Sequence, residues 1–246
     1  MSRVNKIAIS IILSCLLLVM WTGFRSAGDK MVRKVHVEIL SNEGNQFTSE
    51  EEVLNLMRGE DNVLTLPISK WDMNEMEKRI ETNPFIGDAE VYRDVKGNVL
   101  VRVMQRKPIA RIYHHQIKDK YISENGELLP TNAQFTARVP IVELNGLTWE
   151  DNLNESSYGK QVLELLSFIE QDEFWKAQIA HLIIHSDGEI EMIPQLSKQR
   201  VFFGMPEDIE TKFEKLMLFY KKILPAKGWN AYDKVNLKIK DQIICE

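Results

Sequence analysis

Residues 7–24 run for eighteen positions without a charged side chain, near the head of a chain that is 27% charged as a whole. As a helix rising about 1.5 Å per residue, such a run spans roughly 27 Å, close to the hydrocarbon thickness of a bilayer. It predicts a single transmembrane anchor. A cleavable signal is the competing expectation, because Arg3 and Lys6 precede the run and Ser26-Ala27-Gly28 follow it. A signal's apolar core is usually about 7 to 15 residues. This run is longer, and it ends in Trp21 and Phe24, aromatics suited to the membrane interface. Cations stand on both sides, so the positive-inside rule does not orient the segment. The size of the C-terminal portion does, since long segments translocate largely regardless of charge. The expected order is a cytoplasmic N-terminus at 1–6, a transmembrane anchor at 7–24, a linker at 25–32, and extracytoplasmic domains beyond.

The 246-residue chain leaves enough length after the anchor for two ordinary domains. Its formal charge of -5 is mild, with acids and bases interspersed. Nothing in that pattern favours nucleic-acid binding. The two cysteines, Cys15 and Cys245, lie at opposite ends of the chain. No disulfide framework is expected.

Val35, Val37 and Ile39 alternate with polar residues, the period of a half-buried strand. Ser49 followed by Glu52 forms a capping box, with Val53, Leu56 and Met57 on one helical face up to Gly59. Met73, Met76 and Ile80 mark a second helix stopped at Asn83-Pro84. Two strands follow, one through Ala89, Val91 and Arg93 and one through Val99, Val101 and Val103, around a turn at Lys96-Gly97-Asn98. The order is β-α-α-β-β.

Downstream, Tyr121 to Gly126 reads as a strand entering an Asn-Gly turn. Val139 to Val142 is a short apolar strand, and Val162, Leu165, Leu166 and Ile169 form one face of a helix. Strands are expected around Leu182 and Ile184, Ile190 and Met192, and Val201 to Phe203. Pro206 is placed in the first turn of a long helix carrying Ile209, Phe213, Leu216, Met217 and Tyr220, with Pro225 and Gly228 as its end. Tyr232, Val235, Leu237 and Ile239 then alternate with polar residues, and a turn at Lys240-Asp241 leads to a last strand through Ile243, Ile244 and Cys245.

Catalytic chemistry finds little support. His181 and His185 have the spacing of a helical metal pair, but on a strand that spacing separates them by about 13 Å. His114-His115 have no cysteine or carboxylate cluster beside them in sequence. Glu50, Glu51 and Glu52 suit the first turn of a helix, where acids complement its dipole. Nucleophile-elbow and phosphate-loop motifs are absent from the sequence. No catalytic, metal or cofactor site is expected.

Asn83-Pro84-Phe85-Ile86, Ala89-x-Val91-x-Arg93 and the run from Leu100 through Gln105-Arg106-Lys107-Pro108 to Ala110 resemble the FtsQ/DivIB family of bacterial cell-division proteins. The likeness continues in Phe203-Gly204, Lys212-Phe213-x-Lys215-Leu216, Trp229, Tyr232-x-x-Val235-Asn236-Leu237-Lys238 and Gln242. Departures are Phe85 for the family's usual Trp, Gln105 for Glu, and Asn236-Leu237-Lys238 for Asp-Leu-Arg. The resemblance implies an α+β chain with one transmembrane helix, a POTRA domain at 33–107 and a mixed β-domain with helices at 108–246. It further implies a non-catalytic, single-pass scaffold of the inner membrane, enriched at the division site, that recruits FtsB/FtsL-like partners by strand addition. Phe213, Tyr220, Tyr232, Val235, Leu237, Lys238, Ile243 and Ile244 are carried over as contact or supporting positions. Strand 99–106 of the POTRA domain is expected as a second open edge for other divisome proteins. A POTRA-bearing transport or outer-membrane assembly factor is the alternative from another class, and a membrane-anchored envelope enzyme a further one.

Overall fold

The computed structural model describes residues 12–20, 31–40, 46–60, 62–114, 117–149 and 152–246. The chain from 31 onward is α+β, but the expected transmembrane helix is not upheld. Residues 12–20 are helical, which gives only about 14 Å of rise. Among the described residues, no helix is long and apolar enough to cross a membrane. The rest of the apolar run, 7–11 and 21–24, lies outside the described residues, as does His115.

The chain divides into two compact units, Met1–Gln105 and Arg106–Glu246. In the first, β1 (Lys34–Leu40) and β2 (Ile86–Arg93) flank β3 (Asn98–Gln105) in the order β1-β3-β2. β1 runs parallel to β3 and β2 antiparallel to it. The helices α1 (Glu50–Arg58) and α2 (Met73–Glu81) carry Val53, Met57, Met76 and Ile80 into one core with Val99, Val101 and Val103. Both helices start on side-chain caps, Ser49 accepting from the Glu52 N–H at 3.2 Å and Asp72 from the Glu75 N–H at 3.1 Å. Asn83 closes the end of α2: its amide donates to Glu52 (3.0 Å) and its carbonyl oxygen accepts from the Phe85 N–H (2.9 Å). Phe85 stacks on Phe47 with ring centroids 4.7 Å apart.

Strand 99–106 is therefore not an open edge. A parallel partner from the start of the unit covers its second side, and the edges are β1 and β2. Local periodicity cannot disclose this, because the partner is a strand some sixty residues away, as in Val35 opposite Val99.

The second unit is built on a nine-stranded sheet in the order β12-β11-β10-β9-β8-β7-β4-β5-β6. Its strands are β4 (Pro108–His114), β5 (Ile117–Ser123), β6 (Leu128–Pro130), β7 (Ile141–Leu144), β8 (Ile179–Ile184), β9 (Ile190–Pro194), β10 (Arg200–Gly204), β11 (Lys234–Asn236) and β12 (Ile244–Cys245). Between them lie α3 (Ser157–Gln171), α4 (Glu173–Gln178) and α5 (Ile209–Leu218). Alternate strand residues such as Val142, Leu182, Met192, Val201 and Val235 pack against Val162, Leu166, Phe213 and Leu216 of the helices. The opposite alternation carries charge: His181 lies 3.2 Å from Glu143, and the buried Glu191 pairs with Arg200 and lies 3.6 Å from His185.

Two expectations about α5 are corrected. Pro206 precedes the helix rather than opening it, because the Glu207 N–H turns back to Met205 (2.8 Å) and Asp208 sits at φ +51° before Ile209 starts the helix. Nor does Pro225 end the helical stretch. A π-helical turn, Phe219–Ile223, widens the ladder, and α6 (Leu224–Lys227) takes Pro225 into its first turn. A proline there has no N–H bond to forfeit. Gly228, at φ +104°, closes the segment by donating to Leu224 at 2.7 Å.

Candidate functional site: the β12 edge

The sheet's order leaves β12 at one end. It pairs antiparallel with β11, Val235 opposite Cys245 and Asn236 opposite Ile244. Beyond that pair, Lys234 and Glu246 exchange both backbone bonds, at 2.9 and 3.0 Å. Residues opposite one another alternate between bonded and non-bonded pairs in an antiparallel ladder. With Lys234 and Glu246 bonded, Cys245 falls in a non-bonded pair. Its N–H and C=O therefore point away from β11, toward the open side of the sheet.

The positions carried over from the family fall into distinct layers. Phe213, Tyr220, Val235 and Leu237 are buried, at 2, 7, 0 and 0% exposure. They belong to the core of the second unit. Tyr232 and Ile243 are half-buried and pack on that core, whereas Lys238 and Ile244 are exposed. The rings of Trp175, Phe203 and Phe168 surround Phe213 at centroid distances of 4.7 to 5.5 Å. Burial pushes the Tyr220 hydroxyl's pKa above its ordinary value and does the same to the Cys245 thiol. Trp229 and Ile239 add exposed apolar surface in the segments leading to and from β11.

Two lysines tie this end of the sheet to its surroundings. The Lys238 ammonium reaches both carboxylate oxygens of Glu189, at 2.9 and 3.1 Å. Its alkyl stem crosses Gly204, where an added Cβ would meet Lys238 Cγ at 2.8 Å. Lys215, projecting from α5, donates to the carbonyls of Leu237 (2.7 Å), Ile239 (2.8 Å) and Gln242 (3.4 Å). Sequence reading did not single out Lys215's role. Its only local signal is its place one helical turn after the buried Lys212, on the side that faces the core.

His181 and His185 each face a carboxylate on a neighbouring strand, Glu143 and Glu191, rather than each other. Among the described residues no group of three or more His, Cys, Asp or Glu side chains could hold a metal ion.

A family described as FtsQ/DivIB, C-terminal related, matches residues 107–246, more than half of the chain. The chain belongs to the FtsQ/DivIB family. A second match, to a POTRA-like domain, covers residues 30–104. The FtsQ/DivIB chain thus carries a POTRA-like unit followed by a β-rich one. Membership suggests a scaffold role in cell division, and these families are generally non-catalytic. It also suggests a division-site membrane location, although no described helix spans a bilayer. No curated protein matches the chain.

Proposed function

We propose that this FtsQ/DivIB chain is a non-catalytic scaffold at the division site that positions an FtsB/FtsL-like partner by adding the partner's strand to β12. The observation that carries the reading is the edge itself: a terminal strand with outward-pointing Cys245 backbone groups, paired to a strand whose Val235 is buried in the core. Strand addition draws affinity from main-chain bonds and specificity from alternate side chains. An added strand would place residues beside Ile244 on one face and beside Ile243 and Cys245 on the other. Lys238 and Ile244 are the exposed contacts in this reading; Tyr232 and Ile243 line the edge, while Phe213, Tyr220, Val235 and Leu237 support it. In the POTRA-like unit, β1 and β2 are the edges open to further divisome proteins. The match over residues 107–246 favours this reading over a transport or outer-membrane assembly factor.

The test is binding of the full chain to the FtsB/FtsL-like pair of the same cell, with Cys245→Pro beside Cys245→Ala. Proline at 245 removes the outward donor and leaves the bonds between β11 and β12 in place. Loss of binding in the proline variant alone supports strand addition. Equal binding by both variants moves the interface elsewhere.

A further inference from the structure

The strands of the proposed docking edge are short. β11 has three residues and β12 two, joined by a loop that turns at Asp241, φ +59°. β11 has β10 on its other side, but β12 has only the short β11 to pair with. Within the loop, the one backbone bond is a stretched one, from the Gln242 N–H to Ile239 at 3.4 Å.

We propose that Lys215 is the positioning residue of this edge, a three-point clamp that holds the loop between β11 and β12 in the register a partner strand requires. An ammonium has three donors and no acceptor. Here all three are directed at carbonyls of the same loop, those of Leu237, Ile239 and Gln242. The stem rises from α5 between the buried residues Phe213 and Leu216. The clamp therefore ties the loop to the helical layer rather than to another loop. Leu237 is also fixed on its other side, its N–H donating to Phe202 at 3.0 Å. The loop is gripped at its start, middle and end, and β12 is delivered opposite Val235 and Asn236. Ordering the edge before the partner arrives removes a cost that binding would otherwise carry. Arginine cannot take over the role: its planar fork matches carboxylates, whereas these three carbonyls converge on a point.

The proposal rests on the docking reading only for its purpose; the clamp itself is tested without a partner. In a Cys15→Ser chain, Cys245 is the sole thiol, half-buried on the strand that the clamp delivers. Its rate of reaction with 5,5′-dithiobis(2-nitrobenzoate) reports fraying of β12. In Lys215→Met the rate is expected to rise at least tenfold while the urea midpoint of the whole unit moves little. Lys215→Arg, which keeps the charge, should also raise it, and Lys222→Met, an exposed lysine of the π turn, should not. An unchanged thiol rate in Lys215→Met overturns the clamp, and a wild-type rate in Lys215→Arg reduces it to simple charge. Should Lys215→Met fail to fold, the arginine variant carries the same comparison. Affinity for the FtsB/FtsL-like pair should fall about tenfold in both Lys215 variants. Undiminished affinity beside a raised thiol rate would overturn the positioning role, whereas a wild-type chain that binds no partner would sink the docking reading and leave the clamp standing.

Discussion

Lys212 lies over the ring of Phe203, its ammonium 4.7 Å from the centroid, while donating a 2.7 Å hydrogen bond to the Met205 carbonyl. The residue is buried, and desolvation holds its pKa below the ordinary lysine value despite Asp208 and Glu207 nearby. The folded state therefore releases this proton at lower pH than the unfolded chain does. Wherever the unfolded chain binds more protons, stability rises with pH. Lys212 thus opposes folding at neutral pH, and the opposition fades as pH climbs toward about 10.5, the unfolded value. Lys212→Met should flatten that rise. Urea midpoints measured from pH 8 to 10.5 on both chains check it; parallel profiles would contradict the burial argument.

Tyr158 has the opposite sign. Burial pushes its pKa up to about 12, and its hydroxyl donates to the Gly188 carbonyl at 2.9 Å. Between the unfolded value of 10.0 and that folded value, the folded state holds a proton the unfolded chain has lost. Stability should fall with rising pH across this window. Tyr158→Phe should lose about 1 kcal/mol at neutral pH from the missing hydrogen bond and shed its share of the alkaline decline. Denaturant unfolding at pH 7 and pH 11 separates the two effects.

Most of the fold was legible because local signals and tertiary packing agree. The capping box at Ser49, the face of Val53 and Met57, and the alternation of Val99, Val101 and Val103 all appear where periodicity places them. What escaped depends on pairings distant in sequence. That β3 is a central strand follows from β1, and the start of α5 follows from an aspartate in a left-handed conformation that no spacing rule anticipates. The expected spanning helix rested on apolar length and on the aromatics at its end, and the described helix covers only residues 12–20. At the β12 edge, the last strand expected through Ile243, Ile244 and Cys245 is present at Ile244–Cys245, and the positions carried over from the family divide between core and surface. Lys215 carries no such signal, because a lysine that reaches across to three carbonyls looks in sequence like any solvated lysine on a helix.

Glu170 draws two cations to one buried carboxylate, Lys107 at 2.7 Å and Lys176 at 2.8 Å. Its side chain is 8% exposed against 17% and 30% for the lysines. Removing one member of a buried ion cluster leaves the others without compensation, at a cost of about 3 kcal/mol. Glu170→Gln should therefore destabilise the second unit by about that amount, and Lys176→Met by much less because Lys107 still neutralises the carboxylate. Equilibrium unfolding in urea distinguishes the two, and equal losses would show that Lys107 alone does not compensate the carboxylate.

Gly159 provides a test in which propensity and packing predict opposite signs. It sits in the first turn of α3, where exchanging glycine for alanine ordinarily gains up to about 1 kcal/mol. An added Cβ at this site would meet the Leu153 carbonyl oxygen at 2.1 Å and the Ser156 Oγ at 2.8 Å. The first obstacle is backbone, part of the 3-10 turn Leu153–Glu155 that leads into the helix, and Leu153 itself is fully buried. The second is the capping oxygen, which accepts the Gly159 N–H at 2.9 Å. Relieving the clash must displace the turn or break the cap, and overpacking of this kind costs about 1 to 3 kcal/mol, with the lost cap adding about 1 more. Gly159→Ala should consequently lower the unfolding free energy by about 2 kcal/mol or more. Urea titration followed by circular dichroism reads the change directly, and a stabilised variant would mean that the turn before α3 yields without cost.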